Sequence, residues 1–238
     1  MSDETNSLIN EAKAQARKEN IKNFFSRNEK LIKRAATGIL IAFAVYGVLC
    51  VIQNSREVKY SAILHQSLID QQMGDREKAK ENLKKIYDAK TAPSGVRSLA
   101  SLRYASMLFD EGKKAEAGEI YAEINDCGSC DSYIQDLSGL LAVKTWMSDK
   151  EEVQKADLSG RIEDIENSAK TLKYYITEQR ALLEMQRNNL EKSYQIYELI
   201  AKNSESSQTL KARARNGLSM IISKGYEPKV EIKSEEKK

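Results

Sequence analysis

The chain has 238 residues, of which only 11 are glycine and 2 proline. That scarcity argues against turn-dense all-β folds, whose hairpins and bulges need those residues. No strand leads into the glycine-rich loop that a nucleotide-binding doubly wound sheet requires. Net charge is +3, and its excess sits early, with 8 basic against 5 acidic residues through Arg34. The remainder is balanced and shows no basic stripe, which sets nucleic acid aside as a partner. The composition reads as all-α.

Residues 1–34 form a basic arm, expected on the cytoplasmic side. Leu8, Ile9, Ala12, Ala16, Ile21, Phe24 and Phe25 recur at helical spacing. That face suits the inner leaflet, with Lys22 and Arg27 near lipid phosphates. The plainer reading is a partly ordered helix that only fixes topology.

Ala35 to Ser55 is a run of 21 uncharged residues between Arg34 and Arg56. As a helix it spans roughly 32 Å, against a hydrocarbon core of about 30 Å. Seven Lys/Arg lie in the twenty residues before it and two in the twenty after. The positive-inside rule therefore keeps the N-terminus cytoplasmic and exports residues 56–238. A cleaved signal peptide is disfavoured by the length of the preceding arm and the lack of a small-x-small site. Gly38 and Ala42 make one small-xxx-small pair, a weak dimer signal. No proline occurs from Ala35 to Met73, and the only glycines there lie within the apolar run. The spanning helix is thus expected to continue unbroken past Gln53–Lys59, on the order of 55–60 Å in all.

Beyond it lies a period. Small residues twelve positions apart occur as Ser67 and Ala79, Ala105 and Ala117, and Ala181 and Ser193. Four residues after each second member stand Leu83, Tyr121 and Tyr197, and three further on Ile86, Ile124 and Ile200. Five residues before it stand Gly74, Gly112 and Asn188, which suit a left-handed helix end. Each set describes a helix, a short turn and an antiparallel helix that cross at the small residues, with large apolar residues filling the gap to the next helix. Gly74 and Gly112 are 38 residues apart, and Asn188 follows after twice that interval. The intervening unit is expected as Tyr133–Trp146, with a stripe of Leu137, Leu140, Leu141 and Trp146, followed by a second helix around Leu158–Ile165. Leu210–Ile222 is expected to cap the stack, and Lys224–Lys238 to be a disordered charged tail.

The stretch from Gly112 through Lys113, Lys114, Ala115, Glu116 and Ala117 to Tyr121 and Ile124 resembles the second half of a tetratricopeptide repeat. The layout of basic arm, single span and divergent helical repeats is similar to the ancillary subunit of the bacterial Sec translocon (YfgM-like). Small residues such as Ser67 and Ala105 replace the large aromatic and glycine of the family's first helices. The resemblance implies a transmembrane helix followed by tetratricopeptide-like helix-turn-helix repeats stacked as a short solenoid over residues 56–223. It also implies an inner-membrane scaffold with a periplasmic domain, whose partners are the translocon, periplasmic chaperones or secreted clients.

Chemistry has little support. His65 is the only histidine, so no His-rich metal site forms, and no nucleophile elbow, phosphate loop or His-Glu-x-x-His motif occurs. Neither a catalytic residue, a cofactor nor a metal is expected. Cys127-Gly128-Ser129-Cys130 admits three readings: a disulfide that staples a turn, idle thiols, or a dithiol oxidoreductase. The last needs a strand before it and a thioredoxin-like sheet around it. If repeat geometry holds, Leu64, Leu68, Leu102, Phe109, Tyr175, Leu182 and Met185 line a partner groove, the bland alternative being that several simply fill the core. A coordinator of envelope assembly or cell division using the same groove is the alternative function, with dithiol exchange third.

Overall fold

The computed structural model describes residues 13, 17–19 and 29–228. The amphipathic face proposed for Leu8 to Phe25 and the tail beyond Pro228 lie outside the described residues. No strand occurs among those described. Ten helices lie between Glu29 and Ser223. They are α1 (Glu29–Gln72), α2 (Arg76–Asp88), α3 (Ser94–Asp110), α4 (Lys114–Asn125) and α5 (Ser132–Met147), then α6 (Lys150–Gln154), α7 (Leu158–Ser168), α8 (Lys173–Gln186), α9 (Leu190–Lys202) and α10 (Gln208–Ser223).

The chain divides into two compact units, Met1–Ser55 and Arg56–Lys238. In the first, α1 exposes Leu40, Phe43, Val45, Val48 and Val51. Among the described residues, α1 is the one helix long and apolar enough to cross a membrane, with a mean hydropathy of 1.8 over its most apolar window. It runs unbroken through Gln53–Lys59 as a helix of 44 residues.

The second unit is built from helices that pack on their neighbours in sequence: α2 on α3, α3 on α4, α4 on α5, α8 on α9 and α9 on α10. The reason is local. Gly74, Gly112 and Asn188 take φ of 86°, 82° and 62°, and Asn188 is the only non-glycine with positive φ among the described residues. At each, the following amide donates to a carbonyl five residues back: Asp75 to Asp70, Lys113 to Leu108, Asn189 to Glu184. That bond closes a Schellman-type end and turns the chain back on itself. The small pairs at the crossings are all sealed, with Ser67, Ala79, Ala105, Ala117, Ala181 and Ser193 at 1% exposure or less. Backbones approach closely there because no side chain intervenes.

Two buried clusters result. One runs from Ala79 to Leu183, and the other joins Ala181 to Ile196, Tyr197, Ile200, Leu210, Ala214 and Ile221. Helix α8 serves both, presenting Ile176 and Leu183 to the first and Ala181 to the second. Helices α3, α5, α8 and α10 also touch in succession, forming one layer, with α4, α7 and α9 alternating between them in the chain.

The middle of the domain departs from expectation in two ways. Between α5 and α7 stands an extra turn of helix, α6, capped by Asp149 and seated by buried Val153. And α5 buries Gly139, Ala142, Val143 and Trp146, whereas Leu137, Leu140 and Leu141 are only half-buried. The cause is the closeness of α5 to both α4 and α7. A Cβ on Gly139 would stand 2.6 Å from Ile165 Cγ2, and one on Gly118 would strike the Trp146 indole. A small face, not a leucine stripe, is what fits. The expected tail disorder does not reach Tyr226, whose ring packs on Tyr194 with centroids 5.1 Å apart.

Candidate functional site

The seven proposed groove residues fall into two groups. Leu64 and Leu102 pack against the first cluster, while Tyr175, Leu182 and Met185 pack against the second. Leu68 is half-buried. Phe109, at 37% exposure, is the one large apolar side chain of the seven that is open to solvent, with Lys114 Nζ 5.8 Å from its ring centroid. Tyr175 lies beneath Arg213, whose guanidinium sits 5.5 Å from the ring and pairs with both oxygens of Glu178. The hydrogen bond to the Glu178 carboxylate raises the pKa of Arg213. Five of the seven thus border the core while keeping some surface, and Leu68 and Phe109 are not among the side chains packed against either cluster. Leu99, exposed on α3, is a further apolar position that periodicity alone did not single out.

The Cys127–Cys130 turn links α4 to α5. The two sulfurs are joined as a disulfide, with Cα atoms 5.4 Å apart. Gln135, one turn into α5, donates from Nε2 to the carbonyls of both Cys127 and Cys130, and Asp131 caps α5 through the amides of Tyr133 and Ile134. Ser94 Oγ donates to Ser129 O and ties the start of α3 to the same turn. A cleft of about 340 Å³ opens beside the disulfide, lined also by Tyr87, Asp88, Lys90, Arg97 and Glu123. Burial, and then the bond to Glu123, push the Tyr87 hydroxyl up to about 12, so it stays a donor to that carboxylate at 2.8 Å.

No family model, curated protein or solved structure matches the chain.

Several polar residues that join one helical pair to the next carry no signal in a single sequence. Asp136, buried on α5, accepts the amides of Lys170, Thr171 and Leu172 at 3.0, 2.5 and 3.0 Å. It thereby caps the approach to α8. Arg187, at the end of α8, donates to Val153 O, Ser159 Oγ and Lys155 O and pins the α6–α7 link. Glu184 is buried yet charged. Burial pushes its pKa up, but Lys192 at 2.7 Å and Asn189 at 2.8 Å outweigh that and hold it below the usual glutamate range. A buried carboxylate with this many donors is a fastener rather than an acid or base. Among the described residues no group of three or more His, Cys, Asp or Glu is placed to hold a metal ion.

Proposed function

We propose that this protein is a membrane-anchored, non-enzymatic scaffold for protein–protein interaction, its helical pairs stacked as a short tetratricopeptide-like solenoid. The observation that carries the reading is a recurrence. The left-handed turns at Gly74, Gly112 and Asn188 are followed by a fourth at Gly225, with φ of 94°. Polar ties between helices join residues separated by slightly less than one such period: Arg76–Asp110 at 34 positions, Tyr87–Glu123 at 36 and Arg213–Glu178 at 35. Bonds at near-constant separation are what stacked copies of one unit make, because each copy contacts only its neighbours.

In this reading α1 crosses the bacterial inner membrane, with the cation-rich arm in the cytoplasm and residues 56–223 in the periplasm. The apolar residues Leu64 and Leu68 on α1, Leu102 and Phe109 on α3, and Tyr175, Leu182 and Met185 on α8 receive an extended or helical segment of another polypeptide. By the resemblance stated above, the partners are the Sec translocon and the chaperones or secreted chains that meet there.

The test is in-cell photo-crosslinking from Leu102, Phe109 and Leu182, followed by gentle solubilisation of membranes. Translocon subunits and exported chains are expected among the captured proteins. The paired changes Leu102→Ser and Phe109→Ser should lower the yield while helicity is retained. Capture confined to cytoplasmic proteins, or a yield indifferent to those changes, overturns the reading.

A further inference from the structure

We infer that the residues after Pro228 return along α10 in extended form, seating Val230 and Ile232 on a flank that α9 and α10 leave open. Lys211, Arg215, Leu218 and Ile222 follow one another at spacings of four, three and four, so they share one face of α10. Leu218 packs half-buried on the second cluster, as do Tyr194 and Ala201 of α9, while Ile222 stays 48% exposed. Among the described residues α10 packs on α9 and α8, and no helix follows it. The last element of a helical array needs a polar outer face or a cover. An open isoleucine one turn from a half-open leucine calls for a cover.

The course of the chain supplies one. Gly225 takes φ of 94°, and the next amide, that of Tyr226, donates to Ile221 O five residues back. The same bond after Gly112 and Asn188 sends the chain back along the helix it has just left, α4 on α3 and α9 on α8. The Tyr226 ring already lies on Tyr194, with centroids 5.1 Å apart, so the return begins over this flank. Glu227 and Pro228 belong to no helix, in keeping with the extended backbone that a proline favours in the residue before it.

Pattern and length fit as well. Lys229-Val230-Glu231-Ile232-Lys233 alternates charged and β-branched apolar residues. Successive side chains of an extended chain point to opposite sides, so Val230 and Ile232 face the helices together and the charges face water. Wound as a helix, the two would stand about 200° apart and share no face. From Tyr226 to Ile232 an extended chain covers about 20 Å, and from Ile222 to Lys211 along α10 is about 17 Å. The segment therefore reaches along nearly the whole flank.

Cysteine pairing in the full chain in detergent tests this, with Cys50→Ser removing the free cysteine. Ile232→Cys is combined with Lys211→Cys on the flank, or with Thr209→Cys, at the same level of α10 but half a turn away. Under mild oxidant the Lys211 pair should close within one chain several-fold faster than the Thr209 pair. Equal rates overturn the inference, and so does a Lys211 pair that closes only between two chains, which would give the flank to a second copy. Trypsin supplies a readout that needs no added cysteine. Cleavage after Lys229 and Lys233 should quicken several-fold in Ile222→Asp, which alters an exposed side chain and leaves both cut sites intact. A rate indifferent to that change also overturns the inference.

Discussion

Ser193 Oγ donates to the carbonyl of Ala181 across 2.8 Å, at the point where α8 and α9 cross. Both residues are sealed from solvent, so this bond forms where a larger pair would hold the backbones apart. Ser193→Ala is expected to cost about 1 kcal/mol, the usual net worth of one such bond. Ser193→Leu should cost more, about 1–3 kcal/mol or above, through overpacking. Urea titration of both variants by circular dichroism checks the order, and equal midpoints would show that the crossing tolerates bulk.

Glycines in this fold separate into two kinds. Gly139 lies against Ile165 and Asn125, and Gly217 lies 2.7 Å from the Tyr197 ring when a Cβ is placed on it. Gly160, on α7, has open space there. Gly139→Ala and Gly217→Ala should each destabilise by about 1–3 kcal/mol, whereas Gly160→Ala should stabilise by about 0.5–1 kcal/mol through helix propensity and a less flexible unfolded chain. Thermal melts of the three variants measure the contrast. A Gly160→Ala variant that melts lower than the parent would mean that α7 is packed on its outer face.

What was legible in the sequence was whatever one residue type can do alone. Positive φ is cheap only for glycine and, less so, for asparagine, so Gly74, Gly112 and Asn188 declared the turns in advance. Crossing points need small side chains, so the alanines and serines declared those too. The missed features are relational. Asp136 looks like any surface carboxylate until Lys170, Thr171 and Leu172 arrive 34 to 36 positions later. On α5, Trp146 of the expected stripe is buried and Leu140 and Leu141 pack half-buried against the core, while the tightest contacts fall at Gly139, which hydrophobicity ranks low and which the neighbouring helices require to be small. Gly225 was passed over because the charges after it suggested a tail.

Asp136 makes a sharper test of how consecutive helical pairs are fastened. Removing its carboxylate strands three amides that it alone serves from α5. Asp136→Ala should cost about 2–4 kcal/mol, above the loss of a neutral bond, since the acceptor is charged and the amides are left without a partner. Asp136→Asn keeps one carbonyl oxygen and should cost less. Amide hydrogen exchange at Lys170, Thr171 and Leu172 should rise in both variants before the rest of α8 responds. Unchanged protection there would assign those amides another acceptor.

Stability at acid pH should carry the mark of Glu184. Its pKa is lowered in the folded state relative to the ordinary 4.5. A group depressed on folding contributes stability above its unfolded pKa, and that contribution fades as pH falls through the folded value. The parent protein should therefore lose stability as pH drops below about 4.5, and Glu184→Gln should flatten that part of the curve. Asp70, also lowered by Gln66 and Lys78, gives a second contribution of the same sign. Melting temperature against pH for the parent and the Glu184→Gln variant decides the matter. Parallel curves would show that Glu184 titrates alike in both states.

The long apolar helix offers the most direct physical test of anchoring. Val45 stands near the middle of the run from Ala35 to Ser55 and is exposed on α1. A lysine at the centre of a spanning helix raises its insertion cost by about 2.5–3.5 kcal/mol, because the ammonium must be drawn toward a lipid–water interface or carry water with it. Val45→Lys is therefore expected to shift a measurable share of the protein from the carbonate-resistant membrane fraction to the soluble one, while Val45→Leu leaves it in place. If the lysine variant partitions like the parent, α1 reaches the membrane fraction through another surface and not by crossing the bilayer.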